Sequence, residues 1–157
     1  MEIEENNDWG KSVAGIVIKE NKVLLTRHTY GGGKGKLIIP GGYIKKNETP
    51  QEAVKREIHE ETGITVEPMD IVGIRFNLND WYVVFTAQYI SGTETSDNSE
   101  NSEVVWLDMY EVITREDVPD LTKKLVEGVI NNKNKAFKKV PYSGTGENGT
   151  YSLYGLS

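Results

Sequence analysis

Three glutamates, Glu57, Glu60 and Glu61, lie at i, i+3 and i+4 in the segment PQEAVKREIHEETG. On a helix that spacing puts all three on one face, where like charges cost roughly 0.2–0.5 kcal/mol per pair. A hard divalent cation is the natural offset. Magnesium takes oxygen ligands and binds through a few carboxylates plus substrate phosphates, and manganese suits the same donors. The chain carries 18 Lys and Arg against 24 Asp and Glu, a net charge of −6. An anionic substrate would therefore need a cation from outside the chain. The competing reading is a solvated acidic helix face, the usual role of a bare E-x-x-E-E, and the surrounding residues decide against it.

Gly42, Glu48, Arg56, Glu57, Ile58, Glu60, Glu61, Gly63 and Ile64 fit G-x5-E-x7-R-E-U-x-E-E-x-G-U at every fixed position, U being a bulky aliphatic. Chance matches to so many fixed positions are rare at average residue frequencies. The segment resembles the signature of the Nudix (MutT-like) hydrolases, and Pro40-Gly41 agrees with the usual lead-in. Leu37 stands where the lead-in commonly has an aromatic. The resemblance extends from about Val13 to Asn131. It implies an α-β-α sandwich with a mixed β-sheet and metal-dependent hydrolysis of a nucleoside diphosphate linked to another group. It further implies that Glu57, Glu60 and Glu61 hold the metal, that the Gly42 carbonyl completes the ligand set, that Arg56 orients the carboxylates, and that Glu48 lies just outside them.

The expected reaction is attack by water on one phosphorus of a P–O–P link, with divalent ions neutralising the charge and activating the water. Its base is left among Glu60, Glu61 and Glu103. Of these, Glu103 is the favoured loop residue, because it stands where a polar tract meets a strand and the family often places a carboxylate there. Arg27, at a strand end beside a glycine-rich stretch, is a candidate phosphate contact. Phe76, Trp81, Tyr82 and Trp9 are candidates to stack on a base. The markers of substrate class disagree: Asp80 replaces a proline typical of ADP-ribose hydrolases, while Tyr82 resembles dinucleoside polyphosphate hydrolases. Three readings stand: a pyrophosphohydrolase of ADP-ribose, nucleotide-sugar or dinucleotide type; a nucleoside triphosphate pyrophosphohydrolase that clears modified nucleotides; and a non-catalytic nucleotide sensor.

Positioning such a site requires a scaffold. Val13–Ile18 and Lys22–His28 read as a hairpin turned at Glu20-Asn21. Tyr30–Lys36, with four glycines in seven residues, reads as a flexible connector, and Leu37–Ile39 as a short strand. Thr49 and Pro50 open a helix that runs to Thr62, with Gly63 ending it. Val54 and Ile58 anchor that helix to the core. Strands follow at about Ile71–Asn77 and Trp81–Ile90, where alternation places Trp81 inward and Tyr82 on the opposite face. Ser91–Ser102 reads as a solvated loop, Glu103–Leu107 as a strand and Leu121–Asn131 as a helix. This β-rich order with separated helices fits a mixed sheet between helical layers.

The 157 residues suit one domain: a lead-in over 1–10, the hydrolase unit over 11–131 and a tail over 132–157. With 37% hydrophobic and 27% charged residues and no long apolar run, a membrane role is not expected. The acidic start, MEIEENND, is unlike a targeting segment, so a cytoplasmic protein is expected. The absence of cysteine excludes disulfides and thiolate chemistry. The acidic balance argues against nucleic acid as partner and leaves a small nucleotide substrate. Lys133, Lys135, Lys138 and Lys139 read as a solvated helix end. The alternating end TYSLYGL could pair with its own sheet or with a second protomer, which makes a homodimer one expectation.

Overall fold

The computed structural model describes residues 9–143 and 151–156; expectations for residues 1–8, 144–150 and 157 lie outside the described residues. A hairpin of β1 (Gly10–Lys19) and β2 (Lys22–His28) opens the chain. Its turn residues Glu20 and Asn21 both take positive φ, 51° and 63°, the backbone sense that matches strand twist in a two-residue turn. The first strand begins at Gly10, inside the segment expected to be a lead-in, and Trp9 donates its indole N–H to the Leu78 carbonyl at 2.6 Å.

Short strands β3 (Leu37–Ile38) and β4 (Gly41–Tyr43) lead to helix α1 (Pro50–Thr62). The Thr49 side chain accepts from the Glu52 N–H while the Glu52 carboxylate accepts from the Thr49 N–H, a complete capping box. Gly63 closes the helix at φ 74°, a conformation that is costly for a residue with a Cβ. Strands β5 (Thr65–Phe76), β6 (Asp80–Ser91) and β7 (Asn101–Asp108) follow. Helices α2 (Met109–Val112) and α3 (Asp120–Asn131) come next, then a ribbon of β8 (Lys138–Val140) and β9 (Leu153–Gly155). The fifth strand starts earlier than its alternation suggests, because register shifts around Pro68 and Ile71 break the period-two pattern.

The main sheet runs β3-β2-β1-β6-β5, with β7 on β2 and β4 on β1. The β1–β6 pair is parallel and the other pairs are antiparallel, so the sheet is mixed. One face packs Val13, Val17, Phe85 and Ala87 against Ala53, Val54 and Ile58 of α1. The other packs Ala14, Ile16, Val23 and Leu25 against Met109, Val112 and Val126 of α2 and α3. Tyr154 closes the first face, packed edge-on to Phe85 with ring centroids 5.6 Å apart and Gln51 Nε2 donating to its hydroxyl at 3.1 Å. The end of the chain thus pairs within its own chain. The lysine run lies beyond α3, in a turn and in β8, not at the helix end. No helix is long and apolar enough to cross a membrane among the described residues.

One feature of this sheet makes the site possible. Along its side away from β6, β1 pairs with β2 only at Ile18 and Lys19, then with β4 at Ser12–Ala14. The sheet forks there.

Candidate active site

Helix α1 lays its charged edge over the fork. Arg56 is the centre of the cluster. Its Nε and Nη2 donate to the two Glu48 oxygens at 2.6 and 2.9 Å. Its Nη1 donates to Glu57 at 2.8 Å and Glu60 at 3.3 Å, and Nη2 also reaches the Tyr43 carbonyl at 3.0 Å. A planar guanidinium with five donors suits this multiple duty in a way that lysine could not. The hydrogen bonds from Arg56 hold the Glu48 carboxyl down at about 2.

Glu57 and Glu61 are pushed the opposite way. Burial raises the pKa of Glu57 despite the Arg56 contact. Burial, followed by the neighbouring charge of Glu57, pushes Glu61 up to about 9. A half-buried and a buried carboxylate side by side are an unfavourable arrangement unless protons or a cation compensate. Gly42 explains the close approach, since a Cβ there would lie 2.5 Å from the Glu57 carboxyl carbon. The donor set is therefore hard oxygen throughout, on a backbone bare enough to offer a carbonyl, and it fits a divalent cation. Glu57 and Glu60 lean on Arg56, and no three acidic side chains already converge among the described residues. Binding an ion would draw these carboxylates off the guanidinium.

Beyond α1, the fork is lined by Thr26, His28, Tyr30, Gly41, Glu61, Glu100 and Asn101. Glu100 comes from the tract expected to be a solvated loop, and that tract is in fact pinned. Thr95 N–H donates to the Thr62 carbonyl at 2.8 Å. Asn101, 2% exposed, donates its amide to the Glu61 carbonyl at 2.8 Å. Asp97 accepts from the N–H groups of Ser99 and Asn101.

Glu103 lies elsewhere. Its carboxylate accepts from Arg27 Nε at 2.8 Å, and Arg27 Nη1 reaches Asp117 at 3.1 Å and the Gly35 carbonyl at 2.9 Å. Arg27 and Glu103 neutralise each other on the face of α2 and α3, with Val105 and Leu107. The reason is a register shift. Arg27 faces Glu103, but His28 faces Asn101, so Ser102 is an extra residue. Such a bulge turns the following side chain to the other face. It brings Asn101 and Glu100 to the carboxylate side and leaves Glu103 behind. Counting in twos along the sequence could not find this.

The expected base-stacking residues are dispersed. Phe76 is 67% exposed at the C-terminal end of β5, two strands away from the fork. Trp81 is only half-buried and absent from the core on the α1 side. Tyr82 lies on the opposite face, as alternation requires, packed against the second core. Burial raises its hydroxyl pKa, with a smaller contribution from Glu61, and the Arg75 guanidinium sits 5.4 Å from its ring. Asp80 is bound to Arg75 at 2.6 Å.

A family model described as the NUDIX domain matches residues 9–128. A MutT-like protein of Streptomyces ambofaciens is 39% identical over 106 residues, covering 66% of this chain and 67% of that one. An ADP-ribose pyrophosphatase of Methanocaldococcus jannaschii is 41% identical over 63 residues, or 40% of this chain and 37% of the relative. The chain thus spans about two thirds of the first relative and under half of the second. A crystal structure of a NUDIX hydrolase from Nitrosomonas europaea matches with a TM-score of 0.74 at 22% identity, covering 82% of this chain and 74% of that one. That likeness concerns the fold alone.

Proposed function

We propose, for a chain that belongs to the NUDIX hydrolase family, that it hydrolyses the pyrophosphate bond of a nucleoside diphosphate linked to another group, using magnesium. The observation that carries this reading is the Arg56-centred cluster, in which Glu48, Glu57 and Glu60 share one guanidinium while Glu57 presses on Gly42. When bound, divalent ions neutralise the diphosphate and ease ionisation of water. Glu57 and Glu61, with Glu60 and a carbonyl near Gly42, are the groups that would hold them. Arg56 keeps the carboxylates separated and oriented.

The chain's own part in the chemistry is to place and deprotonate a water. Water attacks one phosphorus, the bridging P–O bond breaks, and the products are a nucleoside monophosphate and a phosphorylated remainder. Glu100 is the carboxylate best placed to take the water proton, because it lines the cleft with Glu61 and, among the described residues, pairs with no Lys or Arg. Arg27 and Glu103 act as a structural pair that holds the glycine-rich loop.

The test is a turnover panel with magnesium, with products identified by mass. It compares ADP-ribose, nucleotide sugars, dinucleoside polyphosphates and both ordinary and oxidised nucleoside triphosphates. A monophosphate released from diphosphate-linked substrates is the expected result. Pyrophosphate released from triphosphates would favour the house-cleaning reading instead, and ligand binding without turnover the sensor reading.

A further inference from the structure

The small hollow in the fork, about 20 Å³, is acidic. Glu61 and Glu100 line it, and no Lys or Arg does so among the described residues. Arg27 is occupied by Glu103, Asp117 and the Gly35 carbonyl, and Arg56 by three glutamates. A phosphate chain lying across its mouth would still need a protein donor for oxygens that cations leave uncovered. Among the described residues that line it, Tyr30, 55% exposed, has a hydroxyl engaged in no hydrogen bond.

Tyr30 is held in place. Its ring stacks on His28 with centroids 5.9 Å apart and planes 17° apart. The stretch expected to be a flexible connector is closed by its own backbone: Gly35 N–H donates to the His28 carbonyl at 2.8 Å, and His28 N–H to the Lys36 carbonyl at 3.0 Å. One residue before it, the Thr29 N–H donates to the Glu100 carbonyl at 3.1 Å and its hydroxyl to the Ser99 carbonyl at 2.7 Å. This ties Tyr30 and Glu100 to one another across the fork.

We propose that Tyr30 is a substrate-binding residue whose hydroxyl donates a hydrogen bond to a non-bridging phosphate oxygen of the bound diphosphate, with His28 fixing the ring. The assignment rests on the pyrophosphohydrolase reading for its substrate class. Its test uses the non-hydrolysable probe α,β-methylene-ADP with magnesium, measured by titration calorimetry on the full chain. Tyr30→Phe keeps the ring and its stacking and removes only the donor.

The expected result is about tenfold weaker binding of the probe by Tyr30→Phe, as for loss of a hydrogen bond to a charged group, with unchanged Tm and unchanged affinity for adenosine. Probe binding equal to wild type would overturn the proposal, as would an equal loss for adenosine or a wild-type chain that does not bind the probe. If binding depends on the Tyr30 hydroxyl but no substrate is turned over, the reading of the reaction fails and the contact stands.

Discussion

The helix over Pro50–Thr62 and the tract from Gly92 to Asn101 are both polar, and both deliver a carboxylate to the same fork. The helix carries its own instructions. Its cap, its C-terminal glycine, its apolar stripe of Val54 and Ile58 and its acidic edge all follow from spacing. The tract carries almost none, since serines, threonines and acidic residues without period read as solvent-facing. Its order comes from contacts with residues far away in sequence, Thr62 and Glu61 above all. A functional carboxylate on a regular element can be recognised by pattern, whereas one on an irregular element needs its partners to be known.

Breaking the helix side should have the largest effect. Glu57→Gln should reduce turnover by about 10²–10⁴-fold, the several kcal/mol that cation-assisted catalysis supplies, while circular dichroism shows the fold retained. Unchanged turnover at saturating magnesium would sink the ligand assignment.

The tract side is tested by a pair of variants. Glu100→Gln should lower kcat by roughly 10²-fold, the lower end of the range for a lost general base. Glu103→Gln should leave kcat near wild type and reduce Tm slightly through the freed Arg27. The reverse pattern would overturn the argument from the bulge.

A smaller effect concerns the metal-free protein. The folded chain binds a proton at Glu61 up to about pH 9, whereas the unfolded carboxyl releases it near 4.5. Stability from this group is full below 4.5 and falls as pH rises from there towards 9. In chelator, Tm should decline across that window, and magnesium should raise Tm more at pH 8 than at pH 5. Glu48 acts in the opposite sense: its contribution is present above 4.5 and is lost as pH falls towards 2. A chelator melt that rises from pH 5 to pH 8 would contradict the burial of Glu61.

The smallest expected change is structural. Asn101→Ala leaves the buried Glu61 carbonyl without its amide donor, which should cost about 1–3 kcal/mol. A lower Tm together with a raised KM would show that the tract's anchor also serves the cleft. An unaltered melt would mean the tract is held by Thr95 and Asp97 instead.

By itself the sequence determined the local elements: the turn at Glu20-Asn21, the helix from its capping box to Gly63, and the carboxylates that share one face of it. These follow from capping, left-handed φ preferences and helical spacing, all of which act within a few residues. Tertiary structure alone decided where the sheet forks and which loop carboxylate meets the helix. It also decided that Arg27 pairs with Glu103 and that Tyr30 stands at the rim. Those outcomes depend on strand register, and a single extra residue at Ser102 exchanges the two faces of β7. Register is set by pairing across some seventy residues of chain, and no local pattern in the chain records it.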